Sequence, residues 1–318
     1  MKVDHITPHS LARLNAALLD IRPGMRLLDF AVGYAGTWVA VAKRLHDQGE
    51  NPNSVYFVGQ DVSPKVLLVA TCHLMLHGIT SFQLQTGDAL TDPQTDASRF
   101  DRVVADPTFG LHITARNDNW RYDPRFLAAR TPPRSAEWLF MMHGLSVLAP
   151  GGRAVFITIH GPLFRSGSER EIRKFYANWL TAVVALPRAL YPGTSLAVAL
   201  TVFDRPADHS SAENDVLMIN ASQLRAKDGR HNILSSEVID RLAKLVVSGS
   251  DEELPAIHEF VDQARLADND HSWQPSRYVY EPAPYVRSLE DIRSDLAAAQ
   301  KTAQQAASAM KAALDALE

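Results

Sequence analysis

The sequence predicts an α/β protein: a doubly wound, mostly parallel sheet of seven strands, one of them antiparallel, followed by a helical tail. Three observations carry that prediction. Apolar runs of strand length alternate with segments of helical spacing from residue 7 to residue 203. The runs at 26–29 and 55–61 close on acids, Asp29 and Asp61, and the run at 102–105 is followed by Asp106. Acids so placed sit where a parallel sheet presents its carboxyl edge to a ligand. From Leu289 onward the apolar residues Ile292, Leu296, Ala299, Ala303, Ala306, Met310, Ala313 and Leu317 keep a three–four spacing, the seam of a coiled-coil helix.

The first helix falls at 7–20, opened by Thr7 as N-cap and by Pro8, and marked by Leu11, Leu14, Leu18 and Leu19. Pro23-Gly24 ends it. Leu27 and Leu28 form a buried strand closed by Asp29, a turn containing Gly33 and Gly36 follows, and Trp38 to Leu45 is helical. Such a turn offers backbone N–H groups to a nucleoside-type cofactor. Asp61, ending the next strand, either takes the hydroxyls of a ribose or caps the helix at 64–77. Asp88, after the run at 82–85, either accepts from an adenine amine or caps a turn. Residues 111–134 form a loop with Arg116, Arg121, Arg125, Arg130 and Arg134, which are candidates for phosphate contact when they are not merely solvated. An amphipathic helix at 135–148 leads to a strand at 153–159, a helix within 165–179, and strands at 181–186 and 196–203. Only a Gly193 turn separates the last two, so they form a hairpin and supply the antiparallel strand.

An extra strand at 215–222, a helix at 235–248 and a proline- and aromatic-rich extended arm at 268–284 complete the chain before the tail. The expected organisation is a core at 1–210, a core extension and arm at 211–285, and a tail helix at 286–318.

The stretch with the most chemical content is FDRVVADPTFG, residues 100–110. A strand delivers Asp106, Pro107, Thr108 and Phe109 in that order. The Asp106 carboxylate and the Pro107 carbonyl can accept hydrogen bonds from an amino group, and Phe109 can stack on the ring that carries it. The same four residues also make an ordinary strand-ending turn.

Composition narrows the choices. A single cysteine, Cys72, inside an apolar helical run, reads as a buried small hydrophobe. It rules out an intramolecular disulfide and a cysteine-based zinc cluster, and no metal site is expected. Without a Pro-Cys dipeptide, attack on cytosine carbon through a thiolate is not expected. The opening residues have no apolar leader and no stretch has the length of a membrane span, so a cytoplasmic protein without a membrane partner is expected. A net charge of −4 argues that any grip on DNA is shared with a partner, because phosphate neutralisation needs basic surplus.

With these runs in place, the chain resembles the modification (M) subunit of type I restriction–modification systems, a class of adenine-specific DNA methyltransferases. ADPTFG resembles the [DNS]-P-P-[YFW] signature of amino-methyltransferases, and LLDFAVGYAG resembles the L-D-P-A-C-G-S-G-G of the M subunits. VGQDVSP, HLMLHGI, GDALTDP, PLFRSGSEREIRK, ALPRALYPGT and SRYVYEP have close counterparts in the same order. The family's helical N-terminal domain has none, since the cofactor motif begins at Thr7-Pro8.

The resemblance implies a Rossmann-like class I methyltransferase fold that uses S-adenosylmethionine to methylate the exocyclic amine of adenine. Its cofactor residues would be Thr7, Asp29, Ala31, Gly33, Gly36, Asp61 and Asp88, with the turn from Ala31 to Gly36 on the methionine part, Asp61 on the ribose and Asp88 near the adenine. Asp106, Pro107 and Phe109 would be catalytic, acting on a target adenine flipped out of DNA. The tail helix would pack on a specificity subunit, with a restriction subunit or a second copy of the chain as further partners.

The chain departs from that pattern at three places. Asp106 stands for asparagine, Thr108 for a proline, and Ala35, beside bulky Tyr34, for a glycine of the cofactor turn. If that glycine has positive φ, Ala35 is strained. The departures keep a second reading open, a methyltransferase-fold protein without catalysis that serves as a DNA- or partner-binding component. A third, methyl transfer to a protein glutamine amide, is opposed by the tail heptads and the arginine-rich loop.

Overall fold

A computed structural model describes residues 6–95, 99–111, 122–129, 133, 135–207, 214–229, 231–250, 257–279 and 289–315. The chain divides into two compact units, Met1–Tyr280 and Glu281–Glu318.

The first unit is built on a nine-stranded sheet. Its strands are β1 (Arg26–Asp29), β2 (Tyr56–Asp61), β3 (Phe82–Thr86), β4 (Phe100–Ala105), β5 (Leu148–Ile159), β6 (Leu180–Ala185), β7 (Val198–Asp204), β8 (Val216–Asn220) and β11 (His258–Val261). The spatial order is β11-β8-β6-β7-β5-β4-β1-β2-β3. The expected hairpin forms: β7 runs antiparallel to both β6 and β5 while the strands from β5 to β3 pair in parallel. Two strands more than expected take part. β8, read as a separate extra strand, pairs parallel with β6, and β11 pairs antiparallel with β8. The sequence of β11, HEFV, is short and half exposed, so its strand character comes from the edge it covers rather than from its own pattern. A two-stranded hairpin, β9 (Ala226–Asp228) with β10 (His231–Ile233), stands apart from this sheet.

Helices α1 (His9–Leu18), α2 (Gly36–Asp47), α3 (Pro64–Leu76), α4 (Glu137–Val147), α5 (Gly161–Phe164), α6 (Ser168–Tyr176), α7 (Ser236–Ser248) and α8 (Gln263–Asp268) pack around the sheet. Two hydrophobic clusters result, one holding α1, α2 and α7, the other α4 with Trp138, Trp273 and Tyr278. α2 lies unusually close to β2. A Cβ on Gly59 would come within 2.7 Å of the Trp38 ring and 2.8 Å of Leu84, so only glycine lets the helix settle there.

Several expectations need correction. α4 is not amphipathic; most of its residues are buried, because β5 covers one side and the Trp273 segment the other. The arm at 268–284 is not extended over its described part. Trp273 and Tyr278 are fully buried, and Trp138 packs on Trp273 at 5.5 Å. Thr7 does not cap α1; Pro8 holds that position without a side-chain bond. Nor does Asp61 cap α3, where Ser63 accepts from the Val66 N–H. Cys72 is exposed, on an outer face of α3 shared with Leu68, Val69, Met75 and Leu76. Only Leu67, Ala70 and Leu74 of that helix are buried, which a helix with apolar residues on every side cannot reveal from its sequence.

The second unit contains α9 (Leu289–Asp315), the expected tail helix. Two residues of its seam, Leu296 and Met310, expose 58% and 66% of their surface. Among the described residues no helix is long and apolar enough to cross a membrane.

Candidate active site

α1 works as a strut across the sheet. At its carboxyl end the Leu18 carbonyl accepts from Arg153 Nη1 at 3.2 Å, and the Asp20 carbonyl just beyond accepts from Arg102 Nη2 at 3.0 Å. These arginines stand opposite one another on β4 and β5, and they satisfy carbonyls that a helix end leaves unpaired. At the other end of the strut, Thr7 Oγ1 donates to Asp106 Oδ2 at 2.6 Å. The Tyr191 hydroxyl, from the loop between β6 and β7, donates to the same oxygen at 2.7 Å. Phe109 packs edge-on against the Tyr191 ring, with centroids 5.6 Å apart and planes at 88°. The turn after Asp106 is tied down as well: the Gly110 N–H donates to Glu137 Oε1 of α4 at 2.8 Å.

The cofactor-type turn lies between β1 and α2. Val32 N–H donates to the Gln60 carbonyl at 3.1 Å, which ties the turn to the end of β2. Gly33, at φ +52°, donates its N–H to Asp61 Oδ2 at 3.2 Å. Asp61 Oδ1 accepts from Ser63 N–H at 2.8 Å, so one carboxylate joins two loops at the sheet edge. His73 Nδ1 meets the Tyr34 carbonyl at 2.8 Å and anchors the turn to α3. Asp29 is buried and accepts from the Ala31 N–H at 3.1 Å. Burial, above all, pushes its carboxyl up to about 8; the Ala31 N–H opposes this, and the charges of Asp106 and Asp61 add to it.

Ala35 has φ +61° and ψ 28°, the left-handed region, and is fully buried. The conditional strain read from the sequence is therefore present. A left-handed L-residue costs about 1–2 kcal/mol, while deleting a buried methyl loses about 0.8 kcal/mol. Ala35→Gly is accordingly expected to stabilise the chain by up to about 1 kcal/mol, read as a Tm increase of a few degrees in a thermal melt.

A cleft of about 660 Å³ opens beside this turn. Ala31, Asp61 and Asp88 line it together with Pro107, Thr108 and Phe30. Asp88 Oδ1 accepts from Leu90 N–H at 2.9 Å, and the carbonyls of Ala89 and Leu90 are gripped by Arg125 at 2.9 and 2.8 Å. Arg125 is itself held by Asp123 at 2.6 Å and by His143 Nδ1 at 3.0 Å. Burial first, and then the Arg125 charge, push His143 down to about 3, so it faces the guanidinium as a neutral ring. Among the described residues no cluster suited to a metal ion is present.

The family model for N-6 DNA methylases matches residues 3–284. The chain belongs to the N-6 DNA methylase family. Its relatives include the methylase subunit of the type I restriction enzyme MjaIX from Methanocaldococcus jannaschii, 30% identical over 86% of this chain and 51% of that protein. The HindI methylase subunit of Haemophilus influenzae is 26% identical over 92% of this chain and 61% of that protein. The chain thus spans about half to three-fifths of the length of these relatives. Among solved structures, the type I restriction–modification methyltransferase subunit of Streptococcus thermophilus superposes with a TM-score of 0.77 at 23% identity, over 87% of this chain and 60% of that one. The EcoKI M protein superposes with a TM-score of 0.69 at 16% identity, over 88% of this chain and 67% of that one.

Of the residues singled out in the sequence, the fold brings Ala31, Asp61, Asp88 and Pro107 to one cleft. Gly33 reaches it through Asp61, and Asp106 stands next to Pro107. Thr7 is joined to Asp106 rather than to the cofactor turn, and Asp29 lies beneath the turn. Gly36 is the first residue of α2, and Phe109 leans on Tyr191. Of the loop arginines, Arg116, Arg121, Arg130 and Arg134 fall outside the described residues. Arg125 is not a phosphate contact, because its donors are spent on Asp123, Ala89 and Leu90. Residue-by-residue reasoning missed Tyr191, Glu137 and the Asp123–Arg125–His143 group. Only Tyr191 carried a signal, as the aromatic residue of the run ALPRALYPGT just before the Gly193 turn.

Proposed function

We propose that the chain carries out S-adenosylmethionine-dependent transfer of a methyl group to the exocyclic amine of adenine in DNA. The observation that carries this reading is that Pro107, directly after Asp106, lines the cleft together with Asp61 and Asp88, in a chain of the N-6 DNA methylase family.

The residues present suit the cofactor. The cleft falls in the usual size range for a nucleoside-sized ligand. Asp61 supplies a carboxylate held by two backbone N–H groups, the right partner for a ribose diol, and Asp88 supplies an acceptor further along. Asp61 and Asp106 each interact electrostatically with the intervening Asp29, and these two carboxylates favour a cationic guest. When bound, S-adenosylmethionine would supply an electrophilic methyl group.

The chain's own residues would do the rest by positioning and electrostatics. An adenine amine is a poor nucleophile because its lone pair is delocalised into the ring. Asp106 and the Pro107 carbonyl would accept from that amine and draw it toward tetrahedral geometry, while Phe109 stacks on the extruded base. Thr7 donates its one proton to Asp106, so toward a cofactor it can act only as an acceptor, the polarity that suits an ammonium group.

The DNA-reading partner would be a specificity subunit that takes the seam of α9, whose apolar positions Leu296 and Met310 are exposed. A helix with such a seam is stabilised by a partner helix. A restriction subunit or a second copy of the chain would complete the complex.

Calorimetric titration of the folded chain with S-adenosylmethionine tests the first half, with micromolar binding expected. Transfer of a labelled methyl group to DNA in the presence of a specificity subunit tests the second. Absence of binding up to millimolar cofactor would overturn the enzyme reading. Binding without transfer would leave the chain as a DNA- or partner-binding component.

A further inference from the structure

We propose that Tyr191, with Thr7, is a positioning residue that orients and charges the Asp106 carboxylate. Both hydroxyls donate to one oxygen, Oδ2, at 2.7 and 2.6 Å. These are the short lengths of O–H···O⁻ bonds. The donors come from distant parts of the chain, 85 and 99 residues from Asp106. Neither is held by local turn geometry. Thr7 is fixed by the α1 strut, and Tyr191 is almost fully buried against the Phe109 ring.

Two donors on one oxygen have two consequences. They stop rotation of the carboxylate about its Cβ–Cγ bond, so Oδ1 has a single direction. They also favour the ionised form, because a proton on Oδ2 would displace one of them. The phenol itself stays protonated: burial first, then the Asp106 charge and the bond to it, hold Tyr191 well above its ordinary value. Among the described residues, Asp29 at the end of β1 is an acidic neighbour of Asp106, which opposes the Asp106 charge once it ionises, and Asp61 at the end of β2 bears on Asp29 in turn. An asparagine at 106 could accept both hydroxyls through its amide oxygen, but as a neutral acceptor it would form longer, weaker bonds and carry no charge for them to stabilise.

The catalytic consequence rests on the amine-accepting role proposed for Asp106; the electrostatic one does not. The test therefore begins with the free chain. Carboxyl-carbon NMR of Asp106, assigned with D106N, is followed against pH in the wild type, Tyr191→Phe and Thr7→Val. Each substitution is expected to raise the Asp106 midpoint by about one to two pH units. An unchanged midpoint in both variants, with melting curves showing each folded, would overturn the proposal.

Methyl transfer then gives the second readout. Tyr191→Phe keeps the ring against Phe109 and is expected to lower kcat about 10- to 100-fold, with cofactor affinity within about twofold and with the acid limb of the pH–rate profile moved upward. In a D106N background the same change should cost less than about threefold. Equal losses in both backgrounds would mean that the hydroxyl supports the fold alone, and would overturn the positioning role. Should the wild type transfer no methyl group at all, the enzyme reading fails while the NMR result still decides whether the hydroxyls charge Asp106.

Discussion

Asp106→Ala is expected to lower methyl transfer by at least about 10²–10³-fold in kcat, the usual cost of removing one preorganised polar group from a reacting centre, while cofactor affinity stays within about threefold. The asymmetry follows from position. Asp61, Asp88, Ala31 and Pro107 line the cleft, whereas Asp106 is the residue before Pro107 and is not itself part of the lining. The substitution removes one of two acceptors for the amine and leaves the Pro107 carbonyl without its partner in the pair. It also strips Thr7 and Tyr191 of their shared acceptor. Those hydroxyls lose about 1–3 kcal/mol each if no new partner is found, so a measurable fall in stability should accompany the loss of rate. Single-turnover transfer of a labelled methyl group, beside calorimetry with S-adenosylmethionine, measures the two halves separately. A matching loss of cofactor binding would move Asp106 from the reacting centre to the cofactor site.

Asp29→Asn is expected to remove a contribution to stability that falls between about pH 4 and pH 8, and to stabilise the chain above pH 8. In the folded chain Asp29 takes up a proton up to about pH 8, against 3.8 for an ordinary aspartate. Between these values the folded state binds more protons than the unfolded state, so stability falls as pH rises. The contribution is fully present below 3.8, is lost as pH climbs to about 8, and changes no further above that. Its size is on the order of a few kcal/mol. The physical cause is a carboxyl forced to ionise inside the core, helped only by the Ala31 N–H and opposed by Asp106 and Asp61. Asparagine retains an oxygen for the Ala31 N–H and carries no charge to bury. Urea melts of both proteins at pH 5 and pH 8.5 measure the difference. A stability gap between wild type and Asp29→Asn that is the same at pH 8.5 as at pH 5 would show that water or rearrangement solvates the carboxylate.

Much of the architecture was legible before any coordinates. The periods of 2 and 3.6 located β1 to β7, and the Gly193 turn without a helix implied the antiparallel strand, because no crossover fits there. What remained hidden was long-range. β11 has no strand pattern of its own and exists because β8 has an open edge. Cys72 reads as buried, yet it faces outward with apolar neighbours on α3; hydrophobic character does not say which side of a helix the sheet covers. The segment around Trp273 looked like an arm because proline and aromatic residues accompany both linkers and anchors, and only its burial distinguishes them.

For the site, the sequence by itself determined which candidate side chains gather at one edge of the sheet. Asp61, Asp88, Asp106 and Pro107 follow strands, and strands of one parallel sheet end at one edge, so their convergence is a matter of topology. Tertiary structure alone decided how they are held. That Thr7 serves Asp106, that Tyr191 joins it, and that Arg125 grips the Ala89 and Leu90 carbonyls depend on contacts between residues 35 to 99 positions apart. Local patterns carry no record of such partners, because a hydroxyl or guanidinium finds its acceptor only after packing has fixed the distance between their elements.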